Sequence, residues 1–180
     1  MRSEWITTTR DCKARLVPEG TEIRIPEGTR VFLTQALGDS FTVNIEGNLA
    51  RIEGEDADAL GKVAQGFVFE DNGPAGDVNE DHIWQVLKTC YDPEIPVNIV
   101  DLGLIYECTI TKKSPGDNEV FIRMTLTAPG CGMGGVLADE VKQKVLKVPN
   151  VSDVQVELTF DPPWNQNMLS EVARLELGLL

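Results

Sequence analysis

The chain passes from a β-strand to an α-helix within Met124-Thr-Leu-Thr-Ala-Pro-Gly-Cys131-Gly-Met-Gly-Gly135. The first turn of a helix has backbone N–H groups without partners, and the helix dipole adds partial positive charge there. A thiolate placed at that point is stabilised, so its pKa falls below that of a free cysteine. Cys131 is therefore predicted to hold a soft metal or to react. The alternative is a small core residue, since cysteine is often buried.

The residues around this turn predict an α-β-β-α-β order. Asp77 is expected to cap a first helix whose apolar face includes Cys90, and Pro93 stops that helix. The lone histidine, His82, is expected to be a surface residue or to be satisfied locally, and it is assigned no role. The remaining elements are predicted as strands at 104–111 and 119–126 joined in a hairpin, a helix at 132–147, a strand at 152–160 and a short helix at 169–177.

The first part of the chain predicts only short strands. The β-prone segments are 13–17, 22–25, 30–34, 41–45 and 49–52, and turn residues separate them. A small all-β barrel-like domain is therefore expected at 1–70, with a Gly/Pro-rich linker at 71–77 and a second domain at 78–180. The fold class is α+β: a small three-stranded α/β sandwich preceded by the β domain.

Charge and composition exclude several functional classes. The 180 residues are 42% hydrophobic and carry a net charge of −13, which disfavours binding to nucleic acid or to an anionic membrane surface. No apolar run is long enough to span a bilayer, and the first residues lack a secretory pattern. A cytoplasmic protein is expected.

The cysteines do not form a conventional metal motif. Cys12, Cys90, Cys108 and Cys131 include no Cys-x-x-Cys pair. A metal site made by several Cys and His ligands of one chain is therefore not expected. A soft metal would need carboxylates beside a single thiolate, ligands from a partner, or a second subunit, which would make the chain a homodimer.

Three carboxylates decorate a proline-stiffened segment after the first helix. They are Asp92 and Glu94 in Asp92-Pro-Glu-Ile-Pro96, and Asp101. Carboxylates can bind iron or act in acid–base chemistry, but Asp is also a common turn residue. The segment becomes a candidate site only if it lies beside Cys131. Thr127 could then donate a hydrogen bond to the thiolate.

Several ordered motifs resemble the PaaD-like metal–sulfur cluster biosynthetic family. They are the Asp92–Pro96 motif, Val100-Asp-Leu-Gly-Leu-Ile-Tyr106, Thr125-Leu-Thr-Ala-Pro-Gly-Cys131, Val154–Phe160 and Asp161-Pro-Pro-Trp164. The preceding β segment is similar to the SufT type of this family. Gly132 departs from the pattern, because many relatives have proline directly after the cysteine.

The resemblance implies a factor that helps to carry or insert iron–sulfur clusters into target proteins. It implies Cys131 as the cluster or iron contact, with Asp92 and Glu94 in the acidic loop. The cofactor would be a transient Fe–S cluster or iron. The partners would be Suf-type assembly machinery and client apo-proteins.

Two other functions remain open from the sequence. A scaffold would link the assembly machinery to clients without touching a cluster, and Trp164 could be its exposed anchor, although a packed indole is the simpler interpretation. An enzyme with Cys131 as nucleophile would need a nearby base. Since nothing places His82 near Cys131, the chain is expected not to be an enzyme.

Overall fold

The computed structural model describes residues 3–37, 39–63, 69, 73–92, 94–129, 132 and 134–179. The chain divides into two compact units, Met1–Gly66 and Phe67–Leu180. Each unit has its own apolar core and its own sheet. The predicted α+β class is therefore confirmed at the level of a mixed fold with two sheets. None of the helices in the described ranges is both long enough and apolar enough to cross a membrane.

The first unit is a six-stranded antiparallel sheet with one 3-10 helix at Gly54–Leu60. Its strands are β1 (Glu4–Thr7), β2 (Cys12–Val17), β3 (Glu22–Ile25), β4 (Arg30–Leu37), β5 (Ser40–Ile45) and β6 (Asn48–Ile52). The sheet order is β1-β4-β5-β6-β2-β3, so β1 and β3 are its edge strands. Buried residues such as Val31, Val43 and Ile52 form the core.

Five of these strands match the sequence prediction, and β1 does not. The segment Glu4–Thr7 has four residues and only Ile6 packs against the core, which leaves too little alternation to detect. Its strand conformation comes from pairing with β4, a long-range contact. The predicted barrel-like closure stays a prediction, since the order of the described strands is linear.

The second unit contains three strands and three helices. They are α1 (Glu80–Leu87), β7 (Ile105–Ser114), β8 (Asp117–Met124), α2 (Gly134–Leu146), β9 (Val151–Leu158) and α3 (Glu171–Glu176), with a 3-10 turn at Gln166–Met168. The sheet order is β7-β8-β9. The hairpin β7–β8 is antiparallel, and β9 lies parallel to β8 because α2 provides the crossover between them.

Alternation along β8 separates a core face from an exposed face. Val120, Ile122 and Met124 are buried with residues of α1 and α2. On the other face Arg123 forms ion pairs with Glu107 of β7 and Glu157 of β9. The helices therefore cover one face of this sheet.

The start of α1 differs from the prediction. The N-cap is Asn79, whose side chain accepts a hydrogen bond from the Asp81 N–H at 3.0 Å, whereas the sequence predicts Asp77. Asp77 instead forms an ion pair with Lys112 of β7. Both residue types are good caps, and the structure uses Asn79. The linker at 71–77 remains a prediction, because residues 71 and 72 lie outside the described ranges.

His82 and Cys90 are both buried. The His82 ring lies 5.3 Å from the Phe69 ring, and its Nε2 is 3.5 Å from Nδ2 of Asn79. Cys90 lies in the core beside the Val86 carbonyl. His82 therefore has neighbouring partners, as predicted, and Cys90 is a core residue, as predicted from the apolar face of the helix.

Candidate functional site

Segments that carry the predicted site residues lie at one end of the second sheet, where β7 begins and where β8 and β9 end. The Thr125 N–H donates to the Leu104 carbonyl at 2.9 Å, just before β7 begins. The Thr159 N–H donates to the Met124 carbonyl at 2.8 Å, where β8 and β9 both end. The chain leaves this end of the sheet after β8 and reaches α2 at Gly134. The start of the connecting segment, at Thr125, is therefore held in place by its hydrogen bond to Leu104.

Asp92 is buried at this end of the sheet, and its carboxylate accepts hydrogen bonds from other residues of the same unit. Its Oδ1 accepts from the backbone N–H groups of Glu94 and Ile95, both at 2.9 Å. Its Oδ2 accepts from the Thr127 hydroxyl at 3.2 Å. The structure thus joins two predicted site residues, Asp92 and Thr127. A bond from Thr127 to the Cys131 thiolate stays a prediction.

Glu94 and Asp101 do not join this pair. The Glu94 side chain is exposed. Asp101 Oδ1 accepts from the Ser170 hydroxyl at 2.9 Å, and its Oδ2 accepts from Nδ2 of Asn98 at 2.6 Å. Ser170 is the N-cap of α3, so Asp101 holds the start of that helix. These contacts give Asp101 a structural role, and Asn98 and Ser170 are partners that sequence reasoning missed.

A C-terminal strap, defined here as residues 161–170, crosses the segment that leads into β7. The Trp164 indole N–H donates to the Leu102 carbonyl at 2.7 Å, and the Tyr106 hydroxyl donates to the Pro162 carbonyl at 2.7 Å. The Trp164 ring is half-buried and packs against the core. Its role as a partner contact stays a prediction.

Thr125 is a further polar residue at this end of the sheet. Its side chain is fully buried, and within the described ranges its hydroxyl oxygen has no hydrogen-bond partner. An unpaired buried hydroxyl costs free energy. Sequence reasoning did not single out this hydroxyl. A threonine among apolar residues at the end of a strand is common in ordinary strands, so the sequence pattern did not distinguish it.

Cys131 lies outside the described residues, as do its neighbours 130 and 133. The other three cysteines are described. Burial raises the pKa of Cys12, with a further contribution from Asp56, and burial together with Glu80 raises the pKa of Cys108 to about 11. Cys90 is fully buried in the core. Cys12 and Cys108 therefore stay protonated at neutral pH.

The described residues do not form a metal site by themselves. Within those ranges, no three His, Cys, Asp or Glu side chains lie close enough together to hold an ion. The Asp92 oxygens already accept three hydrogen bonds. A metal or cluster would need ligands beyond this set.

Comparison with known proteins relates the second unit to iron–sulfur proteins. The profile of the family described as "Iron-sulfur cluster assembly protein" matches residues 80–158, entirely within that unit. The "Fe-S protein maturation auxiliary factor" of Porphyromonas gingivalis is 48% identical over 101 residues, which is 56% of this chain and 92% of that protein. The "Fe-S protein maturation auxiliary factor SufT" of Staphylococcus aureus is 35% identical over 88 residues, 49% of this chain and 96% of that protein.

A solved structure agrees with these sequence matches. The crystal structure of a domain of unknown function from Bacillus anthracis superimposes with a TM-score of 0.50 at 35% identity, covering 56% of this chain and 92% of that domain. Each of these relatives is covered over at least 92% of its own length. The second unit therefore matches almost the full length of these relatives.

Proposed function

Because the chain belongs to the family of iron-sulfur cluster assembly proteins, we propose that it matures target proteins by carrying or inserting a cluster held at Cys131. The cluster or iron is the cargo, and it is bound transiently. The partners are Suf-type assembly machinery, which supplies the cargo, and client apo-proteins, which receive it. The role is non-catalytic.

The similarity to iron–sulfur maturation factors carries this proposal, and the hydrogen bond between Thr127 and Asp92 supports it from the structure. That bond fixes the segment that leads toward Cys131 against the loop that follows α1. The Asp92 oxygens are used for this fixation and for the loop's own N–H groups. Asp92 and Thr127 are therefore positioning residues, and the thiolate of Cys131 is the direct contact.

The other cysteines support the choice of Cys131. Cys12 and Cys108 have raised pKa values, and Cys90 is sealed in the core. Iron–sulfur clusters are held by thiolates. A chain that offers one thiolate leaves coordination positions of the cluster for a recipient, whereas full ligation would trap the cluster. A second copy of the chain could supply another thiolate, as a homodimer.

Anaerobic reconstitution with iron and sulfide tests the proposal. We expect the wild type to bind both and to pass them to an apo-ferredoxin, and Cys131→Ser to lose both properties. Cys108→Ser is the matched control, since it removes a protonated thiol from the same unit. Circular dichroism and the unfolding midpoint establish that both variants are folded.

The result that overturns the proposal is retention of iron, sulfide and transfer by Cys131→Ser. If Cys131→Ala still binds the assembly machinery and still supports target maturation, the chain acts as a scaffold that does not contact the cluster. Alkylation with iodoacetamide near neutral pH adds an independent readout. Cys131 is expected to react first, and Cys12 and Cys108 much more slowly, because their raised pKa values leave little thiolate near neutral pH.

A further inference from the structure

The two edges of the first unit's sheet differ in how they are protected. On the edge strand β3, Glu22 forms an ion pair with Arg15, and Arg24 forms one with Asp11 at 2.8 Å. Charged, ion-paired side chains are a common means of preventing an edge strand from pairing with another chain. The β1 edge carries one such residue, Glu4, which pairs with Lys62, and beside it an exposed tryptophan, Trp5.

The backbone of β1 leaves two residues free to pair outward. The Thr8 N–H donates to the Thr29 carbonyl at 2.9 Å, which continues the antiparallel register between β1 and β4. In an antiparallel pair, residues alternate between those bonded to the partner strand and those facing away. The backbone N–H and C=O groups of Trp5 and Thr7 therefore face the open edge.

An aromatic and cationic cluster lies on the same strand. The Trp5 side chain is 59% exposed, its ring is 5.2 Å from the Phe32 ring, and the Arg30 guanidinium lies 4.6 Å above it. Among the described residues, Arg30 has no carboxylate partner within ion-pair distance. Exposed tryptophan and arginine are the residue types most enriched where binding energy concentrates.

We propose that the β1 edge binds an extended, acidic peptide segment of a partner protein. The segment adds a strand beside β1 and pairs with the backbone groups of Trp5 and Thr7. An apolar side chain of the segment packs on the Trp5 ring, and a carboxylate pairs with Arg30. This inference concerns the first unit alone and does not depend on the proposed role of Cys131.

A second copy of the chain fits this edge less well. Two β1 strands placed edge to edge would bring Trp5 and Arg30 of each copy together without supplying a carboxylate. The acid on β1 itself, Glu4, already forms an ion pair with Lys62. The charge of the cluster therefore favours an acidic partner.

Titration of the ¹⁵N-labelled full chain with acetyl-Thr-Val-Thr-Glu-Thr-Val-amide, whose valines and glutamate share one face of an extended strand, tests the inference. We expect saturable shifts of the Trp5 and Thr7 amides and of the Trp5 indole N–H. Trp5→Ala and Arg30→Glu should each weaken binding about tenfold or more. Thr7→Pro should abolish it, because proline removes an outward N–H while leaving the bonds to β4 intact.

Two controls make the result specific. Arg24→Glu changes an exposed arginine on the opposite edge and should leave the affinity within about twofold of the wild type. The peptide with lysine in place of glutamate should bind at least tenfold more weakly, since Arg30 repels it. Absence of saturable shifts, shifts elsewhere on the chain, or equal binding of the lysine peptide overturns the inference. So does a dimer in sedimentation that Thr7→Pro dissociates, since a second copy would then occupy the edge.

Discussion

The Thr127 hydroxyl donates to Oδ2 of Asp92 across 3.2 Å, although 35 positions separate the two residues. The contact joins the loop after α1 to the segment after β8. Asp92 also accepts two backbone N–H groups of its own loop, so one buried carboxylate organises both segments. A charged acceptor makes each of these bonds stronger than a neutral one.

Removal of either partner should destabilise the second unit. We expect Thr127→Val to lower the free energy of unfolding by about 1–2 kcal/mol, since the substitution leaves a buried oxygen with one fewer donor. Asp92→Ala should cost more, because three bonds are lost. The double variant should show a coupling of about 1 kcal/mol, as expected for residues in direct contact. Urea unfolding measures these values.

Glu94→Gln is the control for this pair, because its side chain is exposed. We expect its unfolding free energy to stay within about 0.5 kcal/mol of the wild type. Additive effects of Asp92→Ala and Thr127→Val would contradict the contact as an energetic link.

A second prediction concerns the approach of the C-terminal strap to Gly103. Gly103 has φ of +78°, and a Cβ there would overlap the Met168 carbonyl and lie 2.9 Å from the Met168 Cβ. Gly116 has φ of +79° but nothing within 4 Å of such a Cβ. Gly116→Ala therefore isolates the backbone strain, about 1 kcal/mol. Gly103→Ala should lose about 2 kcal/mol more, because the strap must also move.

Unfolding of the two glycine variants measures the difference, followed by Trp164 fluorescence in a background with Trp5 and Trp84 replaced by phenylalanine. Gly103→Ala should also lengthen or break the bond from the Trp164 indole to the Leu102 carbonyl, which shows as a red-shifted emission. Equal stabilities of the two variants would mean that the strap does not press on Gly103.

The sequence predicts the elements of this chain better than their contacts. The apolar stripe of the first helix is a local periodic pattern, so Cys90 could be placed in the core correctly. The cap of α1 was misplaced because Asp77 and Asn79 are equally good caps. In the structure Asp77 pairs with Lys112, a contact from a strand far along the chain that residue type does not reveal.

The candidate site shows the same division. Asp92 and Thr127 can both be named as site residues from the sequence. Their direct hydrogen bond cannot be predicted in the same way, because it forms only when the fold brings two distant segments together at one end of the sheet. Asp101 carries a carboxylate like that of Asp92, yet it holds α3 through Ser170. Residue type alone does not distinguish these two roles. The predicted thiolate environment of Cys131 stays a prediction.

A third prediction concerns the close packing of α2 on the end of β8. A Cβ at Gly134 would lie 2.6 Å from Cδ1 of Leu126, whereas a Cβ at Gly135 meets nothing within 4 Å. Gly135→Ala should stabilise the unit by up to about 1 kcal/mol through helix propensity. Gly134→Ala should destabilise it by about 1–2 kcal/mol, since Leu126 is buried and must shift. Combining Gly134→Ala with Leu126→Val should recover part of this loss, and thermal unfolding of the three variants measures it.

The last prediction uses the pKa of Cys108, which burial raises from 9.0 to about 11. The unfolded thiol loses its proton near its ordinary pKa, while the folded thiol keeps it, so the folded state binds more protons in this range. Stability must then fall as pH rises from about 9 toward 11, and the contribution is fully present below 9.

Cys108→Val removes the titrating group and keeps an apolar side chain at a position that packs against the core. We therefore expect the wild type to lose stability relative to this variant between pH 9 and about 11 and to match its slope below pH 8. Urea midpoints of both proteins across this range provide the measurement. Parallel curves throughout would show that the Cys108 thiol titrates at its ordinary pKa in the folded protein.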